Sequence, residues 1–197
     1  MKHYRFWLIG LLMVFITPLL MGCELGQVDQ GRVVAYDRDK DTVTIIQDKR
    51  AEPGNPDYNT LPPHVYKMPT DRHEIGAWPK AGQRIKLDLN KKVITLFDHE
   101  TQGFKDVPYT VIDQQDNVGR TSPLVRGKEF PIVDRDKKTI TVYSGRQRVL
   151  LTFTVPDEYF ALPDETWEAG DEVRVYYHKE GEAQRFMNIT RTDIFKK

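Results

Sequence analysis

The chain has 197 residues, with 29 basic and 29 acidic side chains, so its formal net charge at neutral pH is zero. Without an excess of basic charge, a nucleic-acid-binding surface is not expected. The single cysteine can form no internal disulfide. This length allows one large domain or two small ones.

The N-terminal segment, residues 1–22, predicts a secretory signal peptide. Lys2 and Arg5 lie at its charged start, and an uncharged, largely apolar run follows from Phe6 to Met21. A helix that spans a membrane needs about 20 apolar residues, and the apolar region of a signal peptide is shorter. The length of the run therefore favours a signal peptide over a membrane-spanning anchor.

The end of this segment reads Leu20-Met21-Gly22-Cys23 and resembles the lipobox of bacterial lipoproteins. The resemblance implies cleavage between Gly22 and Cys23, followed by attachment of acyl chains such as palmitate to Cys23. Two or three acyl chains hold a protein stably to a membrane, because each buried CH₂ group contributes about 0.8 kcal/mol. We therefore expect a lipid-anchored protein that faces the periplasm or the exterior of the cell envelope.

Two stretches of the remaining chain match each other, which indicates an internal duplication. Residues 37–45 (DRDKDTVTI) match residues 134–142 (DRDKKTITV), and residues 81–87 (AGQRIKL) match residues 169–175 (AGDEVRV). The matches occur in the same order in both copies, as expected of a repeated unit.

The periodicity within each copy is that of β-strands. Val43 and Ile45 alternate with threonines, and Val173 and Val175 alternate with charged residues. The mature chain has no long helical period, so the expected fold is all-β: two tandem small barrels of the OB or SH3-like type. The expected segments are a tether at 23–30, a first barrel at 31–112, a linker at 113–127 and a second barrel at 128–197.

Acidic residues at the start of the first copy have the spacing of a calcium-binding loop. Asp37, Asp39 and Asp41 alternate, but Thr42 occupies the place where such a loop has glycine. The second copy has Lys138 in place of the third acid. A charged hairpin turn between two strands accounts for both copies without a metal ion.

A longer, turn-rich connection from Lys49 to Met68 distinguishes the first copy from the second. His64 and Met68 lie at its end, and His73 follows. Because histidine and methionine side chains bind copper and silver in proteins, a metal-handling protein is our alternative hypothesis. An ordinary surface position for each histidine is the simpler interpretation, so we expect neither a metal ligand nor a cofactor.

The order of these features is similar to the small periplasmic copper-binding barrel of the Cus efflux system. The resemblance lies in a Gly-x-Val run, an acidic hairpin and an Ala-Gly turn before a V-x-V strand, and it implies a barrel fold. That family binds copper through a histidine, a Trp-Pro pair and two closely spaced methionines. Here Trp78-Pro79 follows Met68, no second methionine lies nearby, and the matching loop of the second copy has neither histidine nor methionine. The resemblance therefore implies the fold without the metal site.

Aromatic residues in each copy lie between the second strand and the Ala-Gly turn. They form either a hydrophobic plug at one mouth of a barrel or a recognition surface. They are Tyr58, Tyr66 and Trp78 in the first copy, and Tyr159, Phe160 and Trp167 in the second.

The whole chain resembles an uncharacterised family of predicted lipoproteins from sulfate-reducing bacteria. The resemblance covers the GCELG start at residues 22–26 and the VVAYDRDKDTVTI run at 33–45, and it implies a location and no activity. No G-x-S-x-G, HExxH or phosphate-binding loop is present, so we expect no enzyme. The sequence predicts a non-enzymatic binding or interaction module, held to a membrane by lipid and bound to another envelope protein.

Overall fold

The structure, a computed structural model, describes residues 25–52 and 56–192. The predicted signal peptide, its cleavage site at Gly22 and the lipidation site at Cys23 lie outside these residues. The expectation of an all-β protein is confirmed: among the described residues, three sheets account for most of the regular secondary structure, and the three helices are short. None of the helices in the described residues is long and apolar enough to cross a membrane.

Twelve strands form in the described part of the chain. They are β1 (Gln27–Asp37), β2 (Thr42–Gln47), β3 (His64–Lys67), β4 (Arg84–Asp88), β5 (Val93–Asp98), β6 (Gly103–Pro108), β7 (Thr110–Gln115), β8 (Ile132–Asp134), β9 (Thr139–Ser144), β10 (Val149–Thr154), β11 (Glu172–Tyr177) and β12 (Ala183–Asn188). The helices are 3₁₀ turns at Arg72–Glu74 and Asp164–Trp167 and a one-turn α-helix at Asp157–Phe160.

The three sheets combine strands from distant parts of the chain. The five-stranded sheet has the order β12-β11-β1-β2-β3, the four-stranded sheet has the order β7-β10-β9-β8, and the three-stranded sheet has the order β4-β5-β6. The first and last strands of the chain are therefore in one sheet. All the pairings between these strands are antiparallel.

Two structural units result, and each takes strands from both copies of the sequence repeat. The first unit consists of β1, β2 and β3, completed by β11 and β12 from the end of the chain. The second unit consists of β4 to β10 and packs its two sheets on each other. Each unit has its own core: Val33, Ile45, Tyr66, Val175 and Phe186 in the first, and Leu96, Ile140, Leu151, Phe153 and Trp167 in the second, among others.

A third apolar cluster joins the two units. Val34 and Ile46, on the outer face of the five-stranded sheet, pack with Ile85 of β4 and Phe97 of β5. Tyr58, from the long loop of the first copy, covers the same cluster. Since these side chains are almost fully buried, the units are packed on each other through apolar contacts as well as connected by the chain.

The chain crosses itself at two glycines, one from each Ala-Gly signature. A Cβ atom on Gly170 would lie 1.8 Å from the carbonyl oxygen of Val33, and one on Gly82 would lie 2.4 Å from the carbonyl oxygen of Glu168. Backbone hydrogen bonds hold the contact: Gly82 N–H donates to Val33 O (3.2 Å) and Val33 N–H donates to Asp171 O (2.9 Å). The close approach of the backbones requires glycine at both positions.

Hydrogen bonds to the carboxylate of Asp171 connect this crossing to the rest of the first unit. Its Oδ2 accepts hydrogen bonds from the backbone N–H of Lys80 (2.8 Å), Asn188 Nδ2 (2.8 Å) and Arg191 Nε (2.7 Å). Asp171 and Asn188 are both buried. A buried carboxylate with three donors is well compensated for the loss of water.

The structure corrects the expectation of two closed tandem barrels. No sheet closes among the described residues: two isolated bridges, Lys67 with Glu182 and Ile75 with Phe186, link the segments at the two edges of the five-stranded sheet, but no continuous ladder forms there. The strands that complete the first unit come from beyond the expected linker, so neither 31–112 nor 128–197 forms a barrel by itself. β4 and β11 have similar alternating sequences, so the pattern alone does not decide which of them pairs with β1. In the structure β1 pairs with β11, the more distant of the two along the chain, and this pairing prevents two separate barrels.

The expected tether and linker also differ from the structure. β1 begins at Gln27, inside the segment 23–30 that was expected to be a tether. The segment 113–127 was expected to be a linker, but its first residues belong to β7, which pairs with β10. Val118 and Val125 within it are buried, so burial of apolar side chains orders a segment whose composition suggested a loop.

The crossing predicts unequal effects of alanine at two glycines. Gly170→Ala should lower the free energy of unfolding by about 3 kcal/mol or more, because the added methyl group overlaps a backbone oxygen that cannot easily move. Gly76→Ala is the matched control, since its nearest atoms are 3.7 Å away, and it should change stability by less than about 1 kcal/mol. Urea denaturation of the two variants measures this, and equal effects would contradict the close contact.

Candidate functional site

A cleft at the junction of the two units has six charged side chains among its thirteen lining residues. It has a volume of about 390 Å³, within the range of small-molecule sites. We call it the arginine cleft. Its charged lining residues are Arg32, Arg84, Arg120, Arg146, Glu168 and Glu172.

The backbone crossing brings these charged residues together. Arg32 precedes Val33 on β1, and Arg84 follows Gly82 by two residues at the start of β4. Arg32 Nη1 donates a long hydrogen bond to the carbonyl oxygen of Arg84 (3.4 Å). Glu172 is the partner of Arg32 in the register between β1 and β11.

Arg84 is the most buried cation of the cleft, with 6 % of its surface exposed. Its Nε donates to the carbonyl oxygen of Trp167 (2.9 Å), and no acidic side chain of the described residues forms an ion pair with it. Burial, and after it the neighbouring charge of Arg32, lowers the pKa of Arg84 to about 9. The side chain is therefore still a cation at neutral pH.

Arg32 lies beside Arg84 and is also poorly compensated. Its guanidinium carbon is 5.1 Å from the centre of the Tyr58 ring, a cation–π contact. Its Nε is buried and has no hydrogen-bond partner among the described residues. A buried donor of a charged group without a partner costs free energy, so it calls for an ordered water molecule or a bound group beside it.

Arg146 lies in the turn between β9 and β10, and only one of its two terminal nitrogens has a partner among the described residues. Its Nη2 forms an ion pair with Glu172, whose other oxygen accepts from Gln30 Nε2 (2.7 Å). Its Nη1 is buried without a partner among the described residues. The second lining acid, Glu168, is occupied by an ion pair with Lys80.

A wider depression lies on the outer face of the five-stranded sheet, with a volume of about 640 Å³. Val28, Tyr176 and Met187 line it, together with Arg185, which is paired with Glu74. The depression is larger than the arginine cleft, but no buried donor without a partner lies among its lining residues. We therefore regard the arginine cleft as the better candidate site.

His64, predicted as a candidate metal ligand, belongs to a polar cluster around Asp29. Asp29 is buried, and its Oδ2 is 2.6 Å from His64 Nδ1. Tyr66 donates its hydroxyl to the same oxygen, while Gln47 Nε2 donates to Oδ1 (3.0 Å) and the Tyr177 hydroxyl lies 3.5 Å from it. Asp29 thus has a partner on every side, as expected of a structural carboxylate.

The structure does not bring His64, Met68 and His73 together around one point. Met68 is buried in the core of the first unit, whereas His73 is exposed on the 3₁₀ turn after β3. In extended backbone, four residues separate the Cα atoms of His64 and Met68 by roughly 13 Å. No group of three or more His, Cys, Asp or Glu side chains in the described residues is arranged to hold a metal ion.

Most of the aromatic residues fill the cores. Tyr58, Tyr66, Phe160 and Trp167 are all buried in the apolar clusters, so they form neither an exposed recognition surface nor a plug at the mouth of a closed barrel. Trp78 differs, because 46 % of its surface is exposed. Trp78 packs on Tyr36 in a tilted arrangement and has a cation–π contact with Arg72, and Tyr159 has a cation–π contact with Lys105.

The acidic repeats form hairpin turns in both copies. Asp37 Oδ1 accepts hydrogen bonds from the backbone N–H groups of Asp39 and Lys40 (both 3.0 Å), and Asp134 Oδ1 accepts from Lys137 N–H (3.0 Å). These backbone hydrogen bonds lower the pKa values of Asp37 and Asp134. The carboxylates therefore stabilise turns, as the simpler interpretation of the spacing expects.

Sequence reasoning missed the arginine cleft, because its cations are far apart in the sequence. The signal that could have indicated it is the charged residue next to each crossing segment: Arg84 two residues after Gly82, and Glu172 two residues after Gly170. This pattern predicts a charged cleft only when it is known that the two Ala-Gly signatures lie together in the fold.

The fold and the cleft define a class: an all-β protein with a cation-rich cleft between two packed units. A sequence family described as a domain of unknown function (DUF4881) matches residues 24–197, so the chain belongs to that family. The expected membership in a family without an assigned activity is confirmed. No curated protein and no solved structure matches the chain.

The cluster around Asp29 predicts a specific dependence of stability on pH. Burial, and then the hydrogen bond to Asp29, raises the pKa of the Tyr66 hydroxyl. Above pH 10 the unfolded chain releases this proton and the folded chain keeps it, so this part of the stability is lost as the pH rises.

Tyr66→Phe should lower the free energy of unfolding at pH 7 by about 1–2 kcal/mol, because Asp29 loses a buried donor. Its stability should then fall less steeply than that of the wild type between pH 9 and pH 11. Urea denaturation at a series of pH values measures both effects. An identical slope in the two proteins would show that Tyr66 does not keep its proton in the folded state.

Proposed function

We propose that the chain is a lipid-anchored protein of the cell envelope that acts as a non-enzymatic binding module, with the arginine cleft as its binding site. The observation that favours this function most is the buried, incompletely paired set of guanidinium groups at the junction of the two units. A stable fold retains such groups at a cost in free energy, and a ligand that pairs with them explains why they are there.

The lipid anchor rests on the sequence around Cys23. The family match begins at residue 24, directly after this cysteine, which fits a mature protein that starts at the lipidated residue. β1 begins at Gln27, so extended backbone allows only about 14 Å between Cys23 and the first strand. Such a short connection would hold the folded units close to the membrane surface.

A binding role suits the cleft better than a catalytic one. Its charged lining consists of arginines and of two glutamates that are already paired, Glu168 with Lys80 and Glu172 with Arg146. Catalysis of acyl or phosphoryl transfer would need a nucleophile next to a base. The histidine of the described residues that is best oriented by an acid, His64, belongs to the Asp29 cluster and does not line the cleft.

We also infer that the two units arose by internal duplication, followed by an exchange of strand pairs. The orders β3-β2-β1 and β10-β9-β8 are alike, and the sequence matches place β4 and β11 at equivalent positions. In this interpretation β11 and β12 replace β4 and β5 beside β1, while β4 and β5 pack with the second unit. The duplicated Ala-Gly signatures meet where the two exchanged connections cross.

The anchor predicts that Cys23 alone accepts fatty acid. Wild-type protein produced in a bacterial host with an alkyne-tagged palmitate should be labelled, and Cys23→Ala should not be, because it lacks the acceptor thiol. Arg84→Met serves as the control, since it alters the cleft and should be labelled like the wild type. An unlabelled wild-type protein, or a labelled Cys23→Ala variant, would contradict the proposed anchor.

A further inference from the structure

We propose that the arginine cleft binds a small organic molecule through an oxyanion group, either a phosphate or a carboxylate. This inference rests on the proposed function, in that it takes the cleft to be the binding site. It adds the chemical class of the ligand.

The donors without partners are N–H groups of two guanidinium groups, one from β1 and one from the turn between β9 and β10. Arg32 Nε and Arg146 Nη1 are buried without partners in the described part of the chain, and both residues line the cleft. Guanidinium N–H groups match the oxygen spacing of phosphate and carboxylate, and they cannot accept a hydrogen bond from a donor on a cationic ligand. The arginines that line the cleft therefore select an acceptor with negative charge.

The charge balance of the cleft favours the same class of ligand. Its lining contains four arginines and two glutamates, and each glutamate already has a basic partner. Arg32 and Arg84 lie next to each other and neither forms an ion pair with another described residue, so the charge of Arg32 makes protonation of Arg84 less favourable while Glu168 partly offsets this effect. An anion between them would reduce the repulsion, and its attraction to Arg84 would be stronger than in water because Arg84 is buried.

The walls of the cleft leave room for an organic body attached to the anion. Gly145, Ala169 and Gly170 contribute small or no side chains to the lining. Phe130 and Tyr143 form an aromatic wall, with their ring centres 6.1 Å apart. The cleft volume of about 390 Å³ exceeds that of an inorganic ion, so an aromatic or aliphatic phosphate or carboxylate would use more of the cleft.

Calorimetric titration of the lipidated, detergent-solubilised protein tests this inference. The three probes are inorganic phosphate, phenyl phosphate and benzoate, each at pH 7 and at an ionic strength matched with chloride. At least one probe should bind, and phenyl phosphate should bind more tightly than inorganic phosphate if the aromatic wall contributes. Saturating probe should also raise Tm by about 5–10 °C, because a ligand that binds only the folded state stabilises it.

Variants separate this site from general salt effects. Arg32→Gln combined with Arg84→Met should weaken binding at least tenfold and abolish the rise in Tm, whereas Arg38→Gln should match the wild type. Arg38 is exposed in the hairpin between β1 and β2, so it is a cation of the same type outside the cleft. Each single variant is measured too, and its unliganded melting curve establishes that it folds.

Absence of binding for all three probes would overturn the inference, and so would equal shifts of Tm in the wild type and the double variant. The labelling of Cys23 is an independent measurement. A chain that is labelled at Cys23 and binds none of the anions would leave the anchor standing and remove this ligand class. If the chain binds an anion but is not labelled at Cys23, the ligand class is supported and the proposed anchor is contradicted.

Discussion

The contact between Gly170 and the carbonyl oxygen of Val33 is the constraint on which the rest of the structure depends. A Cβ atom at this position would lie 1.8 Å from that oxygen, so the two backbones touch without any side chain between them. Gly82 approaches the same point from the other connection, and its N–H donates to Val33 O. Because Arg32 and Arg84 lie within two residues of this contact, the crossing also forces two cations together. The arginine cleft is therefore a direct consequence of how the chain crosses.

Contacts of several kinds hold the junction between the two units together. The first unit is completed by strands from the end of the chain, and the second unit takes β4 to β6 from the first copy of the repeat. Each core thus contains strands from both copies of the repeat, and the cluster of Val34, Ile46 and Phe97 joins the two units. Asp171 holds the connection before β11 with three hydrogen bonds. Side chains placed by such elements keep their positions, which favours specific recognition.

Local features of the fold could be predicted from the sequence, and the pairing of distant strands could not. The alternation at Val43 and Ile45 predicts a strand with one buried face, and the structure has that strand, β2. The partner of β1 could not be predicted, because β4 and β11 offer the same pattern and differ mainly in their distance along the chain. Since the cleft depends on this pairing, Arg32 and Arg84 were not recognisable as neighbours. The residue type of His64 suggested a metal ligand, but its Nδ1 pairs with the buried carboxylate of Asp29.

NMR of the arginine side chains shows most directly whether the crossing of the chain creates an anion site. Titration with phenyl phosphate is followed through the Nε–H signals, assigned by comparing single arginine variants. The account predicts that the signals of Arg32 and Arg84 shift in a saturable manner, because Arg32 Nε has no partner in the free protein and Arg84 lies beside it. The signal of Arg38, in an exposed hairpin, should stay in place. Unchanged signals for Arg32 and Arg84, or uniform small shifts of all three arginines, would contradict the account.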